Sequence, residues 1–175
     1  MDRGEHGPPD AVRAGLLRDP DRRAAVSAPV AVGSADTGAL ALDRAPDGRA
    51  VLALDRQVDA THAVPEAAIR PPDGAFDLPR PLADPQRVPA AYGPSAAIDD
   101  RGAVTVGWSS SPPPPGAAAA PAGVFLAREV GADLAAPAAL SPEGRGRRHP
   151  VLAASGDRTL AAWSTGAGAF VAVAG

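Results

Sequence analysis

The chain has 175 residues, no cysteine and a formal net charge of −3 at pH 7. The missing cysteines exclude disulfides and thiolate metal sites, and the slightly acidic balance gives no basis for nucleic-acid binding. The 21 prolines and 19 glycines indicate either disorder or many turns between short segments.

The N-terminal segment, residues 1–25, is polar and is predicted to be disordered. Its apolar pair, Leu16-Leu17, is too short for the apolar core of a signal peptide. No apolar run in the chain approaches the length of a membrane-spanning helix.

A repeated pattern begins at residue 26. The turn signatures DRAPDG (43–48) and DDRG (99–102) each separate two apolar runs. Aspartate caps such turns and glycine accepts positive φ. Gly48 to Gly102 is 54 positions, Leu54 to Trp108 is also 54, and Trp108 to Trp163 is 55. The turn glycines and the large residues that follow them thus form two columns of equivalent positions with nearly the same period. They predict a structural repeat of about 55 residues.

Each unit is predicted to hold four strands, because two further apolar stretches follow the strands on either side of the turn. The third strand is predicted at 67–70, 124–128 and 169–173. The fourth has the form h-x-x-P-x-x-h (h is apolar) and lies at 76–82 and 134–140, with a lone copy at 26–32. An internal proline suits a sheet edge, where the lost N–H has no partner.

The spacing between strands varies because of inserted loops. Residues 109–123 (SSSPPPPGAAAAPAG) read as a proline- and alanine-rich insert, and residues 56–65 as its shorter counterpart. Neither segment is predicted to be strand throughout, because proline cannot donate to a β-ladder.

The predicted fold class is therefore all-β, a partial β-propeller of two to three consecutive four-stranded antiparallel blades. The units are a lone outer strand within 26–37, then 38–84, 94–141 and 150–175. Closed propellers need about four blades or more. The chain is therefore expected to be a piece of a larger ring, with an open stack or half of an oligomeric ring as alternatives.

At these residues the sequence resembles the bacterial sialidase-like, or BNR-type, β-propeller repeats, over roughly residues 26–174. The Asp-box of that group reads Ser-x-Asp-x-Gly-x-Thr-Trp, whereas here Gly102 comes six residues before Trp108. The group includes exo-sialidases, carbohydrate-binding rings and surface proteins with no known activity. The resemblance implies an extracellular or cell-surface location if the chain is a piece of a secreted propeller. The localisation is otherwise unknown.

No catalytic residue is assigned. A sialidase needs an arginine cluster, a Tyr/Glu nucleophile pair and a carboxylic acid/base, and paired carboxylates at a set distance cannot be placed from this sequence. Tyr92 is the single tyrosine, lies in a Gly/Pro linker and is expected to pack between blades. The tripeptide Ile69-Arg70-Pro71 has the wrong order for the Arg-Ile-Pro element of sialidases.

No metal site and no cofactor are predicted. His6, His62 and His149 are far apart in sequence and have no ligand spacing, so exposed loop histidines are expected. Asp99 and Asp100 suit either a calcium ion or a turn cap, and the cap is favoured.

Three further features have a functional and a structural interpretation. Trp108 and Trp163 would stack on sugars in a lectin, but Leu54 in the same column favours core packing. Arg145, Arg147 and Arg148 either grip an anionic sugar or phosphate or form a solvated loop, which is favoured. Residues 112–115 either form a polyproline II ligand or belong to the loop insert.

The predicted function is a non-catalytic propeller-type binding or structural scaffold. The alternative is a carbohydrate-binding or sialidase-like glycoside hydrolase domain, and a third hypothesis is a chain that does not fold stably. The partner is an unknown protein or glycan, with homo-oligomerisation if the chain is not a piece of a larger protein. An aromatic content of 3% favours the first hypothesis over a lectin, because binding sites of that kind rely on Trp and Tyr.

Overall fold

The regular structure of the residues that the structure describes is entirely β. The computed structural model describes residues 31–32, 36–59, 62–84, 91–111, 122–141 and 149–174. Within these ranges, twelve strands form three consecutive antiparallel sheets, which confirms the predicted fold class. No helix in these ranges is long and apolar enough to cross a membrane. The predicted disordered segment 1–25 and most of the lone strand at 26–32 lie outside the described residues, and Ala31 and Val32 belong to no strand.

Sheet 1 has the strand order β1-β2-β3-β4. Its strands are β1 (Thr37–Arg44), β2 (Ala50–Gln57), β3 (Ala63–Arg70) and β4 (Arg80–Pro81). The β1–β2 turn is closed by the Ala45 amide, which donates to the Arg49 carbonyl at 2.9 Å. Gly48 has a φ of 97°, in the left-handed region that a side chain would strain.

Sheet 2 repeats this arrangement. Its strands are β5 (Ala91–Ile98), β6 (Val104–Ser110), β7 (Gly123–Val130), β8 (Asp133–Leu134) and β9 (Ala138–Ala139). The β5–β6 turn is closed by the Asp99 amide, which donates to the Ala103 carbonyl at 3.1 Å, and Gly102 has a φ of 81°. Strands β8 and β9 both pair with β7, at different positions along it.

Sheet 3 has three strands in the order β10-β11-β12. They are β10 (Val151–Ser155), β11 (Arg158–Thr165) and β12 (Gly168–Ala174). Gly156, 54 positions after Gly102, has a φ of 61° in a two-residue turn. The third predicted strand of each unit is confirmed as β3, β7 and β12.

The predicted outer strands are much shorter than expected. Of 76–82 only Arg80–Pro81 pairs with β3, and of 134–140 only Ala138–Ala139 pairs with β7 in the outer position. Each of these dipeptides directly follows a proline. Proline has no N–H, so the ladder cannot extend towards the N-terminus. The two dipeptides are equivalent, because the amides of Leu82 and Leu140 each donate to the third strand at 2.8 Å.

Residues 56–65 are not strand throughout, as predicted, since β2 ends at Gln57 and β3 begins at Ala63. Pro65 lies within β3, where its carbonyl accepts from the Leu82 amide at 2.8 Å. Tyr92 lies in β5 and not in a linker, beside an irregularity in the β5–β6 register. Residues 109–110 and 123 of the predicted insert are strand, and 112–121 lie outside the described residues.

Consecutive sheets pack face to face through two clusters of buried apolar side chains. The first joins sheets 1 and 2 and includes Val51 and Ala53 opposite Trp108. The second joins sheets 2 and 3 and includes Leu126 opposite Trp163. Strand β7 contributes to both, because alternate side chains of a strand point to opposite faces.

The column of Leu54, Trp108 and Trp163 occupies equivalent places on the second strand of each sheet. All three are at most 9% exposed. Trp108 stacks on Phe125 with ring centroids 5.9 Å apart, and Trp163 stacks on Phe170 at 5.8 Å. Leu54 pairs with Glu66 in the same register. The interpretation of these residues as core packing is confirmed.

Replacement of Trp108 by Ala should lower the free energy of unfolding by about 3 to 5 kcal/mol, the usual cost of a large cavity in a core. Replacement of Trp163 by Ala should cost less, because its stacking partner Phe170 is 43% exposed. Urea unfolding followed by far-ultraviolet circular dichroism measures both. Leu78→Ala is the control, since Leu78 is 85% exposed. Equal losses for the two tryptophan variants would contradict the described packing.

Candidate functional site

The turn end of the stack carries a set of charged side chains that cross from one sheet to the next. Arg49, in the β1–β2 turn, donates to the carbonyl of Gly102 in the β5–β6 turn. Its guanidinium also contacts the Glu129 carboxylate of β7 at 2.5 Å. Glu129 in addition accepts from the Val104 amide at 3.1 Å. Arg49 thus ties sheet 1 to the β5–β6 turn and to β7 of sheet 2.

Asp99 is the most buried acidic residue of this end, with a side chain that is fully inaccessible. Its Oδ1 accepts from the amides of Arg101 and Ala103 at 3.0 and 2.9 Å. Its Oδ2 accepts from the guanidinium of Arg128 at 2.9 Å. The predicted turn cap is therefore present, and it also holds an arginine of β7.

Sheets 2 and 3 are joined in the same way. Arg101 contacts the Asp157 carboxylate at 2.8 Å. The Asp100 amide donates to the Gly156 carbonyl at 2.8 Å, and the Gly156 amide donates back to the Asp100 carboxylate at 3.1 Å. Two turns of neighbouring sheets are therefore bonded directly to each other.

These cross-sheet contacts were not predicted, although the sequence contains a signal for them. Arg80 and Asp133 are separated by 53 positions, and Arg101 and Asp157 by 56. Both separations are close to the repeat period, so opposite charges one period apart indicate partners on adjacent sheets. Asp43 also has a partner one period away, but that partner is a backbone amide. We predicted Asp43 to begin the turn, but it lies in β1, and its carboxylate accepts from the Ile98 amide, 55 positions away, at 2.8 Å.

A groove of about 740 Å³ opens between the outer strands of sheets 1 and 2 beside these turns. Its floor is apolar and includes Ile69, Leu82 and Leu134, which pack against the first core cluster. Its rim includes Arg80, which contacts Asp133 of sheet 2 at 3.3 Å. The rim charges are solvent-exposed and of both signs.

The other sequence candidates do not gather at one site. His62 contacts the carboxylate of Asp59 at 2.8 Å in the β2–β3 connection. His149 packs against Gly93, where a β-carbon would lie 1.8 Å from the imidazole Nδ1. Arg70 donates to the carbonyl of Gly74 in its own loop at 3.1 Å. In the described part of the chain, no group of three or more His, Cys, Asp or Glu side chains is placed to hold a metal ion. The remaining candidates, His6, residues 112–115 and the loop with Arg145, Arg147 and Arg148, lie outside the described residues.

Comparison with known proteins gives a distant likeness among solved structures. No protein-family model matches the sequence, and no curated protein matches it. Among solved structures, the chain is similar to the Hadza microbial sialidase Hz136, with a TM-score of 0.45 and 12% sequence identity. The likeness covers 79% of this chain and 34% of that one, so the chain spans about a third of the sialidase.

Replacement of Asp99 by Ala should lower the free energy of unfolding by about 2 to 3 kcal/mol, because it leaves two amides without their acceptor and removes the carboxylate that pairs with the Arg128 guanidinium. Asp99→Asn should fall between that variant and the wild type, since an amide oxygen can still cap the turn. Asp47→Ala is the matched control, because Asp47 caps the exposed β1–β2 turn with one bond to the Arg49 amide at 2.8 Å. Chemical unfolding measures all three variants. Equal losses for Asp99→Ala and Asp47→Ala would contradict the described network.

A double-mutant cycle on Arg49 and Glu129, with both residues changed to Ala, should give a coupling energy of about 1 to 2 kcal/mol. The side chains of this pair are 24% and 7% exposed. The parallel cycle on Arg101 and Asp157 should give less than about 0.5 kcal/mol, because solvent screens an exposed pair. Coupling energies that are equal, or in the reverse order, would show that Arg49 does not bridge the first two sheets.

Proposed function

We propose that the chain is a non-catalytic propeller-type scaffold that presents the groove between sheets 1 and 2 to a protein partner. The observation that carries this proposal is the engagement of the groove's charges within the chain. Glu129 and Asp133 are each held by an arginine of sheet 1, through contacts of 2.5 and 3.3 Å. These carboxylates connect the sheets, whereas a glycosidase needs two carboxylates directed at one glycosidic bond.

The chemistry of the groove favours a peptide segment over a sugar. Protein interfaces combine an apolar centre with a polar rim, and here Ile69, Leu82 and Leu134 lie under a rim that includes Arg80 and Asp133. Sugar-binding sites rely on exposed aromatic rings for stacking. The groove lining contains no aromatic residue in the described part of the chain.

Peptide display on the immobilised protein tests this proposal. The selection uses Leu134→Asp for counter-selection, since a carboxylate on the apolar floor should exclude an apolar side chain of the ligand. The expected result is a set of peptides with apolar residues flanked by charges of both signs, which bind the wild type at least about tenfold more tightly than the Leu134→Asp variant. Peptides that bind both proteins equally would exclude the groove as the site.

The sialidase-like alternative has its own assay. Hydrolysis of a fluorogenic sialoside should not exceed the buffer rate. Glycan-array binding should likewise be absent. A hydrolysis rate above that of buffer that is lost in Arg101→Ala would replace the scaffold proposal with a glycosidase. Glycan binding lost in the same variant, which keeps the fold by circular dichroism, would replace it with a lectin.

A further inference from the structure

The groove between sheets 1 and 2 carries more negative than positive charge. Among the described residues, its lining includes four carboxylates and three guanidiniums. They belong to Asp47, Asp77, Glu129 and Asp133, and to Arg49, Arg80 and Arg101. A ligand that enters the groove therefore meets an excess of carboxylate.

Two of the three arginines are already engaged by carboxylates. Arg49 contacts Glu129 at 2.5 Å, and the two side chains are 24% and 7% exposed. Arg101 contacts Asp157, which is not part of the groove lining, at 2.8 Å. A carboxylate of a ligand would have to displace these partners, so neither guanidinium is a ready site for an acidic ligand.

Arg80 is shared by two carboxylates. Its guanidinium lies 3.6 Å from the carboxylate of Asp77 on its own sheet and 3.3 Å from that of Asp133 on sheet 2. The two aspartate side chains are 55% and 82% exposed. Within the described residues, no second cation contacts either of them. One guanidinium carries one positive charge, so one negative charge of this part of the rim has no counterpart.

The two aspartates lie beside the apolar floor of the groove. The Asp77 amide donates to the carbonyl of Ile69, a floor residue, at 3.0 Å. Asp133 directly precedes Leu134 in β8, and Leu134 packs against the first core cluster. A ligand can therefore place an apolar side chain on the floor while a neighbouring side chain reaches the aspartates.

We infer that the protein partner presents a basic residue next to an apolar one, and that the basic side chain binds between Asp77 and Asp133. This specificity rests on the proposed function, because it belongs to the same groove. The cation supplies the positive charge that the two carboxylates lack. Arginine suits the position, since a guanidinium forms paired hydrogen bonds to carboxylates. An acidic residue would instead be a third carboxylate around Arg80, where like charges repel.

Three synthetic peptides with the same pair of leucines test the inference on the whole chain. The leucines are flanked by arginine, by glutamate or by serine, and fluorescence anisotropy measures binding in low-salt buffer. The arginine peptide should bind at least about fivefold more tightly than the serine peptide, and the glutamate peptide more weakly than either. Added salt should remove most of this preference, because it screens exposed charges. A serine or glutamate peptide that binds as tightly as the arginine peptide overturns the inference.

Two variants assign the preference to the aspartates. Asp77→Asn and Asp133→Asn should each weaken binding of the arginine peptide by about two- to fivefold, since each removes a charge and keeps the size of the side chain. Binding of the serine peptide should not change. Asp36→Asn is the matched control, because it alters the net charge equally at an exposed residue just before β1, at the other end of sheet 1 from the β1–β2 turn. An equal loss in Asp36→Asn would assign the preference to net charge and overturn the inference.

Leu134→Ser separates failure of this inference from failure of the proposed function. It removes the apolar side chain without adding a charge, and circular dichroism checks that the variant is folded. It should weaken binding of all three peptides. Such a loss without a preference for arginine would keep the groove as the binding site and overturn only the basic partner. An arginine peptide that binds Leu134→Ser as tightly as the wild type would overturn both. If none of the peptides binds, the basic partner is overturned and peptide display alone decides the proposed function.

Discussion

The structure depends on the burial of both faces of sheet 2. In β7, Phe125 and Ala127 pack towards sheet 1, while Val124 and Leu126 pack towards sheet 3. Near-continuous apolar sequence is what a strand buried on both faces requires, and β7 is buried from Gly123 to Ala127. The sheets on either side therefore share one central layer.

Many of the buried positions are alanine, which buries little area per residue. The polar contacts at the turn end join the same pairs of sheets that this alanine-rich core joins. Arg49 and Arg101 each cross one boundary between sheets, and Asp99 fixes both its own turn and Arg128. Hydrogen bonds of this kind have narrow geometric limits, so they define the position of one sheet on the next where the alanines alone would not.

The sequence was enough to predict the sheets and their turns, because strands and turns depend on local chemistry and the repeat supplied several examples of each. The column of Leu54, Trp108 and Trp163 predicted which side chains are central. The length of the outer strands could not be predicted. Proline shortens the run of hydrogen bonds between two strands, and the size of this effect depends on the neighbouring strand. Cross-sheet pairs such as Arg80 and Asp133 were missed because they depend on how sheets stack. The groove was missed for the same reason.

A disulfide between neighbouring sheets would report directly whether the sheets stack at the described distance. The hydroxyl oxygens of Thr105 on sheet 2 and Thr159 on sheet 3 lie 3.2 Å apart in the core. The chain has no cysteine of its own, so a double variant with Thr105→Cys and Thr159→Cys carries a single pair of thiols. Thiols this close should oxidise to a disulfide within one chain, with loss of both free thiols and no change in oligomeric mass. Two thiols that stay free under the same oxidation, in a protein that keeps its β-sheet circular dichroism, would contradict the stacked arrangement.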